Sequence, residues 1–172
     1  TAGGGIQQRD LGLVKGRLYK GYVWLRPNKP GTSATVSLSN ASVPIIFLDL
    51  KDGYKKYPFE FTAEASTQDA ALKIKIDSGE CMIGTVSLMP ADNVHGMRPD
   101  TLKLLKELNS PVYRWPGGNF VSGYDWKDGI GDRDRRPPRK NPAWTGVEHN
   151  DFGMDEFMVF CKLLDTEPYI AV

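Results

Sequence analysis

Pro111-Val112-Tyr113-Arg114-Trp115-Pro116-Gly117-Gly118-Asn119-Phe120 decides how the rest of the chain is read. A short apolar run suited to a buried strand ends abruptly in Pro-Gly-Gly, with one cation, one large aromatic ring and one amide side by side at the exit. Val112 and Tyr113 fit a pleated surface, and Pro116 cannot continue a ladder. Gly117-Gly118 permit backbone angles, or a close ligand approach, that side chains would block. Arg114 and Asn119 thus offer donors at the carboxyl end of a strand, as a polar-ligand site requires. The same residues also read as a plain turn beside a structural ion-pair partner, so the neighbouring sequence has to decide.

Outward from this stretch the chain alternates helix and strand. Upstream, Pro99 suits the first turn of a helix with the apolar stripe Leu102, Leu105 and Leu108, broadened by Leu104; Lys103, Lys106 and Glu107 are left to solvent. Downstream, a glycine-, proline- and charge-rich connection runs from 116 to 150. A second helix follows, with the stripe Met154, Phe157, Met158, Cys161 and Leu164, capped by Asn150 or Asp151 and carrying Asp155 and Glu156 where negative charge favours the helix dipole. Pro168 to Val172 reads as another apolar strand. This is the βα grammar of a parallel sheet or barrel, although two strands cannot close a barrel.

The first ninety residues differ. Arg17 to Arg26, Thr35 to Leu38, Pro44 to Leu50, Phe59 to Phe61, Leu72 to Asp77 and Met82 to Leu88 read as strands, several in strict alternation. Pro27-Asn28-Lys29-Pro30-Gly31, Asp52-Gly53 and Asp77-Ser78-Gly79 supply turns between them. The expected fold is multi-domain: an all-β, jelly-roll-like antiparallel sandwich over 1–90, then α/β units over 91–172. Because the last strand stops at Val172, the chain is expected to be a segment of a longer protein cut inside its second domain.

Composition narrows the function. With 172 residues, 40% hydrophobic and 25% charged, and a formal net charge of +1, the chain has core-forming material and no field that would gather nucleic acid or an anionic membrane. A neutral ligand such as a sugar fits better. No apolar run approaches the ~20 residues that span a bilayer, and Thr1-Ala2-Gly3-Gly4-Gly5 does not have the form of an export signal. Cys81 and Cys161 are far apart in apolar patterns and read as buried thiols, with neither a disulfide framework nor a metal site expected.

The connection after Trp115 is where chemistry belongs, since unstructured loops beyond ~15 residues are usually functional and loops after strands build the ligand face of βα folds. It carries Tyr124, Asp125, Trp126, Asp128, Trp144, Glu148 and His149. Rings that stack on the C–H face of a sugar, beside groups that take its hydroxyls, make a carbohydrate site. Asp128-Gly129 reads as a turn and Asp125 as a loop hydrogen-bonder rather than as a catalytic pair, and His149 as structural or a ligand contact. Arg133, Arg135, Arg136 and Arg139 are interleaved with Asp132 and Asp134 and predict an ion-paired loop rather than a phosphate site. In the first domain, Tyr19, Tyr22, Trp24, Tyr54 and Tyr57 are either stacking rings or core and edge packing.

Residues 114–131, with Arg135-Arg136-Pro137, Ala143-Trp144 and Phe152-Gly153-Met154-Asp155-Glu156-Phe157, resemble the glycoside hydrolase family 51 α-L-arabinofuranosidases. The likeness runs from about Met97 to Val172. Gly16 to Arg26 and Val86-Ser87-Leu88-Met89-Pro90 are similar to the carbohydrate-binding-module-like sandwich that several members insert ahead of this strand. The resemblance implies an incomplete (β/α)8 TIM barrel beyond Pro90 and a retaining hydrolysis that releases arabinofuranose from arabinan or arabinoxylan. It places Arg114 and Asn119 in the arabinose pocket and Trp144 on its wall, with Trp115, Tyr124 and Trp126 as further candidate contacts. Such chemistry needs two carboxyl groups roughly 5 Å apart. The family's acid/base and nucleophile motifs are not in this chain, and its early sugar-binding glutamate would precede Thr1, so the segment is expected to be inactive alone. The implied partner is an arabinose-containing polysaccharide or oligosaccharide, with no cofactor, no nucleic acid and no membrane, and with homo-oligomers formed through the parent enzyme. Export, extracellular or periplasmic, is favoured. Two other readings stay open: a non-catalytic carbohydrate-binding fragment, and a family member acting on β-glucan or xylan backbones.

Overall fold

The computed structural model describes residues 3–171, and the chain divides into two compact units, Thr1–Asp92 and Asn93–Val172. The first unit holds β1 (Gly5–Leu13), β2 (Leu18–Pro27), β3 (Ser33–Leu38), β4 (Ile45–Phe47), β5 (Lys55–Thr62), β6 (Thr67–Ser78) and β7 (Cys81–Pro90). They form two antiparallel sheets, ordered β1-β6-β3-β4 and β5-β2-β7. Alternation sets which face is buried. On β6, Leu72, Ile74 and Ile76 are buried while Lys73 and Lys75 are exposed, and on β2, Tyr19, Val23 and Leu25 turn inward to meet Phe59 and Phe61 of β5. The asparagine, aspartate and glycine turns hold as expected, with Gly53 and Gly79 at φ of 75° and 73°. Beside the edge strands β1 and β7 the sandwich leaves an apolar cleft of about 350 Å³, lined in part by Ile6, Leu11, Ile74, Val86 and Leu88.

Two elements depart from the sequence reading. β1 carries no apolar alternation and is largely exposed, because it is an edge strand held by main-chain pairing to β6 and broken by register shifts around Asp10, which sits at φ 60°. The run from Pro44 to Leu50 yields only the three residues of β4. Val43 and Leu48 stay 81% and 75% exposed, and Asp49 turns the chain away with φ 50°.

The second unit contains α1 (Pro99–Leu108), β8 (Val112–Trp115), β9 (Arg139–Lys140), β10 (Val147–Glu148), α2 (Met154–Leu164) and β11 (Glu167–Ile170). Pro99 opens α1, and Asn109, in the left-handed region, ends it. β8 and β11 pair in parallel, Val112 opposite Glu167 and Trp115 opposite Ile170. Residues Phe157, Cys161 and Leu164 of the predicted stripe are the buried residues of α2. The cap of α2 is a correction: Gly153, not Asn150 or Asp151, occupies the N-cap, and Glu156 reaches back to accept from the Gly153 N–H at 2.8 Å. Asn150 is instead 1% exposed, inside the preceding loop. The α/β part is thus a parallel strand pair with its crossover helix, and no closed barrel exists among the described residues.

Candidate functional site

Alternation on β8 separates its side chains. Tyr113 and Trp115 turn to α2, where Tyr113 meets Phe160 edge-on with ring centroids 5.2 Å apart and Trp115 stacks on Phe157 at 5.8 Å. Arg114 and Val112, on the other face, are exposed. The strand then leaves through a cis Trp115–Pro116 bond and Gly117 at φ 122°, a dihedral that a side chain would strain. Gly118 follows, and a Cβ built on it would lie 3.9 Å from Arg114 Nη2, so the guanidinium rests beside bare backbone. Among the described residues, the side chains of Arg114 and Asn119 make no hydrogen bond or ion pair. Two donors are therefore presented to solvent at the carboxyl end of a parallel strand.

The remaining candidates divide by environment. Trp115 also meets Tyr124 edge-on at 5.5 Å, and Tyr124 packs on Phe120 at 4.7 Å, so these rings form an aromatic cluster with α2. Burial pushes the Tyr124 phenol above its ordinary value, with the charge of Glu148 adding to it, and the hydroxyl stays protonated against Gly129. Trp126 is 42% exposed at the head of the turn Trp126–Gly129, which Asp125 caps by accepting from the Lys127 N–H at 3.0 Å. Trp144 is 68% exposed in the loop joining β9 to β10, and Asn141 Oδ1 fixes that loop by accepting from the Ala143 and Trp144 N–H groups.

The arginine loop is ion-paired, as its interleaved charges predicted. Arg133 reaches Glu156, Arg135 reaches Asp132, and Arg139 chelates Asp128, whose carboxyl it holds below the ordinary carboxylate value. Arg136 differs, because its side chain is buried. It donates to the Gly131 carbonyl, to the Asn150 carbonyl at 2.8 Å and, in a fork, to both oxygens of Glu156. Asn150 in turn donates from Nδ2 to the Pro137 carbonyl at 2.7 Å, and its N–H gives a hydrogen bond to Glu148. The base of the β9–β10 hairpin is thereby fastened to the start of α2. Gly129 and Gly153 complete the fastening, since a Cβ on Gly153 would run into the Gly129 carbonyl. Sequence reasoning placed Arg136 in an ion-paired loop but not in the interior; the glycines at 129 and 153 were the available signal of close backbone approach.

Residues 104–172 match the Alpha-L-arabinofuranosidase 1 domain. Over these residues the chain is similar to the α-L-arabinofuranosidases of glycoside hydrolase family 51. It is 50% identical over 96 residues to a probable α-L-arabinofuranosidase C of Aspergillus clavatus, a match covering 55% of this chain and 19% of that protein. It is 44% identical over 94 residues to an intracellular exo-α-L-arabinofuranosidase of Bacteroides ovatus, covering 54% of this chain and 18% of that one. The chain therefore spans about a fifth of the length of the curated relatives it matches. A solved arabinose-bound family 51 α-L-arabinofuranosidase superposes on 99% of this chain and 32% of its own length with a TM-score of 0.81, at 20% identity, and that likeness shows the fold. The mostly β architecture of this chain is accordingly found again in that enzyme.

Proposed function

We propose that this chain supplies the glycone pocket of a retaining family 51 α-L-arabinofuranosidase that removes terminal α-L-arabinofuranosyl residues from arabinan- or arabinoxylan-type polysaccharides. The observation that carries the proposal is the pair Arg114 and Asn119, exposed and unpartnered beside the Gly117-Gly118 backbone at the end of a parallel strand. A charged fork and an amide there can take neighbouring hydroxyls of one small sugar, and Trp144 offers an open ring for its apolar face. Trp126 is a further contact from the loop, while Trp115 and Tyr124 support the pocket from below.

The acids of this loop are engaged elsewhere, which argues against a catalytic pair among them. Asp125 caps a turn, Asp128 is chelated by Arg139, Glu148 holds Asn150, and Glu156 is forked by Arg136. The two carboxyl groups that a retaining mechanism requires belong on this reading to other parts of a (β/α)8 barrel. Exposed apolar groups support that larger setting: Leu104 and Leu108 on α1, and Val112 and Tyr169 on the sheet face that carries Arg114, lie 65%, 67%, 47% and 57% exposed. The first unit acts as the appended, carbohydrate-binding-module-like sandwich.

The test is release of 4-nitrophenol from 4-nitrophenyl α-L-arabinofuranoside, by the longer protein that carries this chain and by residues 1–172 alone. Activity in the longer protein and none in the short chain is the expected pair of results. Turnover by the short chain overturns the assignment of the catalytic acids, and an inactive longer protein overturns the assignment of the substrate.

A further inference from the structure

The hairpin that carries Trp144 has a second anchor, at its tip. Its ladder is short, Arg139 and Lys140 opposite Glu148 and Val147, and so short a ladder does not by itself hold the largely exposed loop 141–146 in one place. Asn141 supplies order inside that loop. Its N–H donates to the Gly146 carbonyl at 3.0 Å, and its Oδ1 accepts from the Ala143 N–H at 3.0 Å and the Trp144 N–H at 2.7 Å. The backbone of Trp144 is thereby fixed relative to Pro142, whose own ring leaves it little freedom.

Pro142 in turn rests on Gly123. A Cβ built on Gly123 would lie 2.7 Å from Pro142 Cβ and 3.6 Å from its Cγ, closer than unbonded carbons approach, so the proline ring occupies the place of a side chain at 123. Gly123 is exposed and, unlike Gly117, has no positive φ to require glycine, so room for Pro142 is what its missing side chain provides. The glycine is also tied to the donors. The Val121 N–H donates to the Gly118 carbonyl at 3.1 Å and the Gly123 N–H to the Phe120 carbonyl at 3.4 Å, so 118–123 is one tight turn that includes Asn119. A continuous run of contacts therefore leads from Asn119 through Gly123, Pro142 and Asn141 to the Trp144 backbone. Because Gly123 and Pro142 are both exposed, their contact removes little apolar area from water and adds little stability. Its consequence is geometric.

We propose that Gly123 and Asn141 are positioning residues of the arabinose pocket: Gly123 seats Pro142 and Asn141 holds the Trp144 backbone, and together they set the span between the Arg114 and Asn119 donors and the Trp144 ring to suit one furanose. This rests on the reading of those three residues as that pocket. The measurement is kcat and KM for 4-nitrophenyl α-L-arabinofuranoside, with melting temperatures, in the longer protein and in its Gly123→Ala, Asn141→Ala, Asn141→Asp and Trp144→Ala variants and the double variant Gly123→Ala with Trp144→Ala. Gly123→Ala and Asn141→Ala are each expected to raise KM about fivefold, with kcat within about twofold of wild type and melting unmoved. Asn141→Asp, whose carboxylate accepts from the same two N–H groups, is expected to keep the wild-type KM. In the double variant Gly123→Ala is expected to add nothing to the roughly tenfold rise caused by Trp144→Ala, because without the ring the span no longer counts. An equal rise from Gly123→Ala with and without Trp144, or a wild-type KM in Gly123→Ala or Asn141→Ala while Trp144→Ala raises it, overturns the proposal and leaves the pocket standing. A wild-type KM in Trp144→Ala overturns it together with the place of Trp144 in the pocket. If Gly123→Ala does not fold, the two Asn141 variants decide, and equal KM values in them overturn the proposal.

Discussion

Arg136 and Glu156 form a two-pronged pair, Nη1 to Oε2 at 2.8 Å and Nη2 to Oε1 at 3.0 Å, between the base of the β9–β10 hairpin and the first turn of α2. The carboxylate oxygen that takes Nη1 also accepts the Gly153 N–H, so one side chain caps the helix and holds the loop that carries Trp144. With the side chains 2% and 12% exposed, removal of one partner takes the two-pronged bond from the other in a buried setting, leaving Arg136 only the Gly131 and Asn150 carbonyls or Glu156 only Arg133 and the Gly153 N–H. Arg136→Met or Glu156→Gln is expected to destabilise the second unit by about 3 kcal/mol in urea unfolding, and Arg136→Lys should fail to restore it because an ammonium has no fork. A loss below about 1 kcal/mol would place this pair with ordinary surface bridges.

The same pair sets an acid limit. Burial alone would raise the Glu156 carboxyl, but the Arg136 hydrogen bonds and the Gly153 N–H outweigh it and leave it below its ordinary value of 4.5. A carboxyl depressed in the folded state adds stability that is fully present above its unfolded value and disappears as pH falls through the folded one. Thermal midpoints of the second unit should therefore fall as pH drops below 4.5, and fall less steeply in Glu156→Gln. Parallel profiles for the two proteins would remove Glu156 from the account.

Gly153→Ala tests the backbone contact. Its φ of −113° is open to any residue, so strain in the dihedral is not the issue; the new methyl meets the Gly129 carbonyl, which belongs to main chain and cannot swing aside. A loss of about 2 kcal/mol is expected. The comparison is Gly131→Ala, where no atom lies within 4 Å of the added Cβ and φ is 81°, so the cost there is conformational only and about 1 kcal/mol.

How far the sequence spoke depended on whether a residue's role was local. Strict alternation on β6 and, on α2, the Phe157, Cys161 and Leu164 part of the stripe read correctly because burial of one face imposes a period that survives in the sequence, whereas Met158 of the same stripe is 45% exposed. β1 was silent because an edge strand is held by its main chain, which leaves no side-chain signature. The helix cap was misplaced because Asn150 is a good capping residue that the loop uses for another purpose, and only the tertiary position of Glu156 shows Gly153 as the cap. At the site, the exposure of Arg114 followed from alternation with Tyr113 and Trp115, whereas the burial of Arg136 depends on contacts 14 and 20 residues away and has no local pattern.

Trp144→Ala should leave folding unchanged, since the ring is 68% exposed, and should raise KM for arabinosides about tenfold with a smaller effect on kcat. Melting curves and initial rates on the longer protein check both parts. A change in melting without a change in KM would make Trp144 a structural residue of the hairpin.

The most direct measurement is kcat/KM for 4-nitrophenyl α-L-arabinofuranoside in the longer protein and in its Arg114→Ala and Asn119→Ala variants, taken together with their melting temperatures. Neither side chain has a partner within the described residues, so melting should not move. Loss of a donor to the bound sugar should lower kcat/KM by roughly a hundredfold for Arg114 and about tenfold for Asn119. Activity equal to the wild type in both variants would contradict the claim that this chain forms the arabinose pocket.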